Sequence, residues 1–300
     1  MQIRDHGKPV AMNADAIASA FPNATGRVVV FVHGWCLTEV GWWRSPRESQ
    51  RESDDETVQP YGALLRSELG FTPVYLRYNT GLHISDNGKA LAALIQQLKA
   101  LWPVPVEEIA LVGHSMGGLV VRSACHYGSD QDHAWPDAVR HVICLGSPHL
   151  GADLEKGVNA ASWVIARLPE TRAVSAFLNA RSSGIKDLRY GACLEEDWSN
   201  CDPDEFLWDR CHEVPFLPGA VYHFVATTAA PRAVGIIVGD HLVRSKSASG
   251  VGTSRQVPFE EAHGLTLAGL HHFDLLNHAA IYAKLRDWLG QSDQHRESAG

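Results

Sequence analysis

A serine in a glycine-rich turn is the feature of this sequence best suited to covalent chemistry. The pattern Gly113-x-Ser115-x-Gly117 follows an apolar run at 108–112 that predicts a buried strand, and it precedes a predicted helix at 117–125. The two glycines permit a tight strand-to-helix turn in which a larger side chain would clash. Such a turn exposes the serine hydroxyl at the sheet edge, near the positive end of the helix. We therefore predict that Ser115 is a nucleophile.

A serine hydroxyl becomes reactive when a histidine removes its proton and an acid orients that histidine. With this type of turn, the partners follow along the chain in the order serine, acid, histidine. Asp240 and His272 fit that order, with His271 as the alternative base. Asp274 is expected to cap the final helix, and His278 is expected to lie inside it with a structural role. The remaining acids are expected at a solvated surface; they are Asp187, Asp197, Asp202, Asp204 and Asp209.

Acyl transfer also requires donors for the negative oxygen of the tetrahedral intermediate. The backbone N–H of Met116, directly after the serine, is one candidate for this oxyanion hole. The backbone N–H of Trp35 is the other, because this residue lies in the turn after a predicted strand, next to Gly34. The side chains of Trp35, Trp42 and Trp43 are expected to shape an acyl pocket.

Strands and helices alternate along the chain and must position these residues. This alternation predicts the α/β class, with a mainly parallel, doubly wound sheet and helices on both faces. Asp86 is expected to cap one of the helices, and Gly70 to end another. Residues 1–26 are expected to form a short hairpin or helix. The predicted strands lie at 27–32, 73–78, 108–112, 141–145 and 221–228, and the predicted helices at 61–69, 88–101, 117–125 and 274–289.

The alternation is interrupted between residues 152 and 218. This segment contains an amphipathic stretch at 160–168 and a second apolar patch at 174–178, followed by acidic residues. It is either an ordinary helical layer or an insertion after the carboxyl end of a strand, which would cover the serine. We favour a cap (lid) at 152–218, inserted into an α/β core formed by 1–151 and 219–300.

Composition excludes several classes of function. The formal net charge of −8 argues against a nucleic-acid binder. No uninterrupted apolar stretch reaches the length of a membrane span, so the sequence predicts no integral membrane segment. The first residues lack the apolar core of a signal peptide, which favours a cytoplasmic location.

The six cysteines fit a reduced protein without a metal site. Cys36, Cys125 and Cys144 lie in or beside predicted core elements, where they are expected to be buried. The other three cluster in a polar segment, without zinc spacing; one disulfide among them is the alternative, and they are Cys193, Cys201 and Cys211. The sequence predicts no cofactor.

Short blocks of the sequence resemble the bacterial lipase and carboxylesterase branch of the α/β-hydrolase superfamily. The resemblance favours His272 over His271, because the family's histidine directly precedes an apolar residue. Asp240 is similar to the family's acid, although His241 stands where a small residue is usual. The blocks are FVHGW at 31–35, GHSMGG at 113–118, GSPHLG at 146–151, GDHLV at 239–243 and HFDLL at 272–276.

This resemblance implies hydrolysis of a carboxylic ester through an acyl-enzyme. The single glycine before the oxyanion residue looks like the lipase type, which accepts medium and long acyl chains, and some similar enzymes cleave aliphatic polyesters. The expected partner is thus a small-molecule or lipid-like ester. Two alternatives stay open: an acyltransferase or amidase with the same triad, and a catalytically silent hydrolase fold that only binds.

Overall fold

A computed structural model describes residues 1–43, 59–151, 182–199, 211–228, 245–252 and 255–297. The strands of these parts form an eight-stranded sheet in the order β2-β1-β4-β3-β5-β6-β7-β8. From β4 to β8 neighbouring strands are parallel, and the β1–β2 hairpin adds antiparallel strands at one edge. The strands are β1 (Gln2–Asp5), β2 (Lys8–Pro9), β3 (Arg27–Val32), β4 (Thr72–Arg77), β5 (Glu108–His114), β6 (Val139–Leu145), β7 (Val221–Thr228) and β8 (Gly264–Ala268).

Helices cover both faces of the sheet, as the predicted doubly wound α/β fold requires. Side chains alternate along β3, so that Val28 and Val30 enter one apolar core whereas Val29 and Phe31 enter the other. Helices α1, α3 and α4 pack in the first core, and α2 and α7 pack in the second. The described helices are α1 (Ala14–Ala20), α2 (Tyr61–Leu69), α3 (Ile84–Leu101), α4 (Met116–Asp130), α5 (Ser183–Asp187), α6 (Ser245–Ala248) and α7 (Ala279–Glu297).

The start of α3 differs from the prediction. The helix begins at Ile84, with His83 at the N-cap position, so Asp86 lies in the first turn and does not cap it. The N–H of Ile84, which has no acceptor within the helix, donates instead to the carboxylate of Asp187 at 2.7 Å. A carboxylate more than one hundred residues away in sequence therefore caps this helix.

The start of the final helix also differs. Asp274 does not cap α7, because it accepts the N–H of His271 at 2.9 Å within a short 3₁₀ helix, His272–Leu276. His278 directly precedes α7 rather than lying inside it. Its N–H donates to the Tyr61 hydroxyl at 2.7 Å, which supports the expected structural role.

The cysteine prediction is correct for two of its three core residues. Cys125 and Cys144 are fully buried, whereas Cys36 is exposed in a turn with φ of 56°. The turn after β3 leaves the core at that point, which explains the error. Cys193 is a buried free thiol. Cys201 lies outside the described residues.

Much of the predicted cap, at 152–181 and 200–210, lies outside the described residues, and its boundaries stay a prediction. The described parts of this segment are 182–199, which contains α5, and 211–218. No helix in the described ranges has both the length and the apolar character needed to cross a bilayer.

Candidate active site

Ser115 lies in the predicted turn between a buried strand and a helix. It separates the end of β5 from the start of α4 and has φ of 54° and ψ of −123°. This left-handed conformation costs a serine about 1–3 kcal/mol, so the surroundings must enforce it. The Ser115 N–H donates to the carbonyl of Leu145 at 2.8 Å, which ties the turn to the end of β6.

Close backbone contacts explain the glycines on both sides of the serine. A Cβ added to Gly113 would lie 2.5 Å from backbone atoms of Gly117 and Gly118. A Cβ added to Gly117 would lie 2.2 Å from the carbonyl oxygen of Val32, at the end of β3. Only glycine permits α4 to begin this close to the two strands.

The two predicted oxyanion residues lie on either side of Ser115. Met116 is the first residue of α4, where backbone N–H groups have no acceptor within the helix and the helix dipole favours negative charge. Trp35 directly follows Gly34, and a Cβ added to Gly34 would lie 3.0 Å from the Cβ of Ser115. The turn that carries the Trp35 amide is therefore in contact with the serine.

The turn after β3 is held in place by Tyr78, which directly follows β4. Its hydroxyl donates to the carbonyl of His33 at 2.7 Å, and its ring stacks on the His33 imidazole with centroids 4.4 Å apart. Burial lowers the pKa of His33, so its ring is neutral at pH 7. These contacts fix the backbone that leads to Trp35.

His272 follows β8 and lies next to the serine turn. A Cβ added to Gly146 would be 3.1 Å from Cε1 and 3.2 Å from Nδ1 of the His272 ring. Gly146 directly follows Leu145, the acceptor of the Ser115 N–H bond. The ring centroids of His272 and His114, the residue before the serine, are 4.7 Å apart.

The His272 ring has the properties of a base. It is 7% exposed, and its Nε2 has no hydrogen-bond partner among the residues that the structure describes. A buried polar atom of this kind requires an explanation, which a role in proton transfer would provide. Burial lowers the pKa of His272 to about 4, so the ring is neutral at pH 7 and can accept a proton.

The expectation that Asp187 and Asp197 lie at a solvated surface is wrong, because both are buried and engaged elsewhere. Asp187 binds the ring of His83 at 3.0 Å in addition to the Ile84 amide. Asp197 accepts the N–H groups of Cys193 and Leu194 at 2.9 Å each. The predicted acid, Asp240, lies outside the described residues, as do Asp202, Asp204 and Asp209.

One part of the predicted cap lies against the oxyanion side of the site. The N–H of Gly184 donates to the carbonyl of Gly81 at 3.2 Å, and a Cβ added to Gly184 would lie 2.8 Å from Cε of Met116. Asp187, three residues later, fastens this segment to α3. Sequence reasoning missed both contacts, since nothing local to 182–188 points to them.

The three tryptophans expected around an acyl pocket have different surroundings. Trp42 is fully buried in the second core, with its ring 4.9 Å from that of Phe31, so it is a packing residue. Trp43 is 41% exposed and packs on Tyr75. Trp35 is partly buried against the first core and directly follows Gly34, which is in contact with the serine turn.

Comparison with known proteins agrees with this fold. The family described as PGAP1-like alpha/beta domain matches residues 23–163, which include Trp35, Ser115 and Met116. No curated protein sequence matches the chain.

Among solved structures, the chain is similar to lipase BlEst2 of Bacillus licheniformis. The mature form is 18% identical, with a TM-score of 0.52 and coverage of 88% of this chain and 91% of that chain. The propeptide form is 16% identical, with a TM-score of 0.53, and the match covers 96% of this chain but only 53% of that longer chain. At these identities the likeness is one of fold. The chain therefore has the fold of these lipase structures.

Proposed function

We propose that this chain is a serine hydrolase of carboxylic esters. The observation that carries the proposal is the backbone of Ser115, which adopts a left-handed conformation at the N-terminus of α4. Close packing at both flanking glycines enforces that conformation, and the adjacent loop carries the buried Nε2 of His272, which has no hydrogen-bond partner among the described residues. A turn with only a structural role would not require a strained serine beside a neutral buried imidazole.

In the first half of the reaction, the Ser115 Oγ attacks the ester carbonyl while the His272 Nε2 accepts the hydroxyl proton. The carbonyl oxygen becomes negative and is bound by the N–H groups of Trp35 and Met116. When the tetrahedral intermediate collapses, the bond to the alcohol oxygen breaks and His272 returns its proton to that oxygen. The products are an acyl-enzyme and a free alcohol.

In the second half, water replaces the alcohol. His272 removes a proton from the water as its oxygen attacks the acyl-enzyme, and the proton passes to Oγ of Ser115 as the ester bond to the enzyme breaks. The products are a carboxylic acid and the regenerated serine. Asp240 orients the imidazole and stabilises its protonated form in both halves.

The proposed substrate is an ester with a medium or long acyl chain, and aliphatic polyesters are included. Support comes from the segment around Gly184, which lies against the Met116 side chain, next to one of the proposed oxyanion donors. We propose that this segment belongs to a cap at 152–218 that covers the acyl chain.

Initial rates on p-nitrophenyl esters from acetate to palmitate test this function, with Ser115→Ala measured in parallel. A Ser115-dependent rate that is highest at intermediate or long chains supports the proposal, whereas a maximum at acetate indicates a small-pocket esterase. Labelling by a fluorophosphonate gives an independent readout of the nucleophile. Labelling without ester turnover favours amide cleavage or acyl transfer, and absence of both favours a binding protein.

A further inference from the structure

His114, the residue between Gly113 and Ser115, is completely buried at the end of β5. Its Nε2 lies 3.1 Å from the backbone carbonyl oxygen of His272. Because a carbonyl only accepts hydrogen bonds, Nε2 must carry the proton and donate it. This bond joins the nucleophile turn directly to the loop that carries the proposed base, across 158 residues of sequence.

The His114 ring fills the space between three parts of the site. One face packs against the His272 ring, with centroids 4.7 Å apart. On the side of the β3 turn, a Cβ added to Gly34 would lie 2.9 Å from Nδ1, so the ring also limits the position of the turn that carries the Trp35 amide. The edge of the ring meets Trp42, with centroids 6.4 Å apart. A shift of the His114 ring would therefore change the positions of the proposed nucleophile, base and oxyanion donor.

His114 is not itself a second base. Its protonated nitrogen is engaged by a backbone carbonyl, and its Nδ1 is buried with no hydrogen-bond partner in the described parts of the chain. Burial and, secondarily, the nearby His272 lower the pKa of His114 well below its ordinary value, which keeps this ring neutral. A neutral neighbour does not repel the imidazolium that forms on His272 during the reaction.

We propose that His114 is a positioning residue, whose Nε2–H fixes the backbone of His272 so that the imidazole can reach the Ser115 hydroxyl during the reaction. This inference rests on the proposed roles of Ser115 and His272. The alternative is that His114 only fills the core, in which case any buried side chain of similar length would serve equally well.

A matched pair of variants separates the two roles. Glutamine places an amide donor near the position of the imidazole Nε2, whereas methionine has similar length and volume but no donor. We expect His114→Met to lower kcat about 10- to 100-fold with KM changed less than about threefold, since small misplacements of reacting groups have effects of this size. We expect His114→Gln to restore most of kcat, and the second-order rate of fluorophosphonate labelling to follow the same order.

The controls make each outcome decisive. Rates are expressed per folded molecule, from the thermal unfolding signal of each variant. Equal kcat in the Met and Gln variants, at any stability, would overturn the positioning role and leave core filling. If the Met variant does not fold, His114→Asn replaces it, because its shorter amide does not reach the His272 carbonyl. Absence of Ser115-dependent labelling in the wild type would instead overturn the proposed function.

Discussion

Two groups of buried histidines lie at opposite ends of the parallel sheet. At the carboxyl end, the rings of His114 and His272 pack together beside Ser115. At the amino end, the Nδ1 of His141 and the Nε2 of His223 are 3.1 Å apart. Burial lowers the pKa in both groups, to about 4 for His272 and for His141. A shifted pKa therefore does not distinguish a reactive histidine from a structural one.

The surroundings of the two groups do differ. At the amino end, His223 stacks on Trp288 with centroids 4.3 Å apart, and the charged groups pair with each other, with Arg27 3.1 Å from Glu108. At the carboxyl end, the histidines lie beside a strained serine and the N-terminus of α4. The strained serine and the N-terminus of α4, rather than buried imidazoles alone, therefore mark the candidate site.

The largest expected effect is the loss of turnover when the proposed nucleophile or the proposed base is altered. Ser115→Ala and His272→Gln should each lower kcat by about 10⁴- to 10⁶-fold, because the members of a triad act as a unit. His223→Gln is the matched change in the amino-end group and should alter kcat per folded molecule by less than about threefold. Ester hydrolysis rates, corrected for the folded fraction, check this. A comparable loss in the His223 variant would contradict the distinction between the two groups.

The next effect concerns Asp240, the proposed acid partner of His272. Such a partner would distinguish His272 from the other buried histidines. A carboxylate beside an imidazole favours its protonated form and so raises its pKa. Asp240→Asn should therefore lower kcat by about 10⁴-fold and move the acid limb of kcat/KM to lower pH. Asp197→Asn, at a buried acid bound to backbone amides, should leave that limb in place. An unchanged acid limb in the Asp240 variant would exclude this residue as the partner of His272.

The amino-end group should govern stability instead of activity. Burial lowers the pKa of His141 to about 4 and of His223 to about 2, whereas both have ordinary values near 6.5 in the unfolded chain. Between pH 6.5 and 4 the unfolded chain binds more protons, so the free energy of unfolding should fall as pH falls, by up to about 1.4 kcal/mol per pH unit for each histidine.

Urea unfolding of His223→Phe between pH 4 and 7 checks this prediction. Phenylalanine keeps the ring that stacks on Trp288 but does not titrate, so the dependence of stability on pH should become shallower. Ester hydrolysis at pH 7 should be retained. If the free energy of unfolding depends on pH as steeply as in the wild type, the amino-end group does not contribute to the loss of stability in acid.

The smallest effect tests how the turn after β3 is held. Tyr78→Phe removes the hydroxyl that binds the His33 carbonyl, which should cost about 1–3 kcal/mol of stability and lower kcat by less than about tenfold. Tyr222→Phe is the control, because its buried hydroxyl accepts the Leu217 N–H away from the serine turn. It should lower stability by a similar amount without changing kcat. Equal kcat in the two variants would mean that Tyr78 does not position the oxyanion donor.

The sequence predicted the strands from β3 to β7 because each contains a short run of apolar residues, β-branched ones among them. It missed β8, whose side chains are only partly buried at the sheet edge and lack such a run. Both predicted N-terminal caps, Asp86 and Asp274, were wrong, whereas Gly70 ends α2 as predicted. The carboxylate at the start of α3 comes from Asp187, and local propensity holds no information about so distant a partner.

In the candidate site, too, the features encoded by local sequence were predictable and the long-range contacts were not. The serine turn is encoded by the spacing of Gly113, Ser115 and Gly117, so its geometry was predictable. His272 was preferred to His271 through the resemblance, and its ring does lie beside the serine turn. The bond from His114 to the His272 carbonyl joins distant parts of the chain and could not be predicted. Asp240 stays a prediction.

The backbone conformation of Ser115, φ 54° and ψ −123°, has a consequence for protein engineering. Glycine adopts positive φ without the steric cost that serine bears there, about 1–3 kcal/mol. Loss of the nucleophile to glycine would therefore relieve strain and favour the folded state. A library screened for heat resistance alone would tend to enrich inactive proteins at this position. Stability and turnover oppose each other at this residue, and both must be selected together.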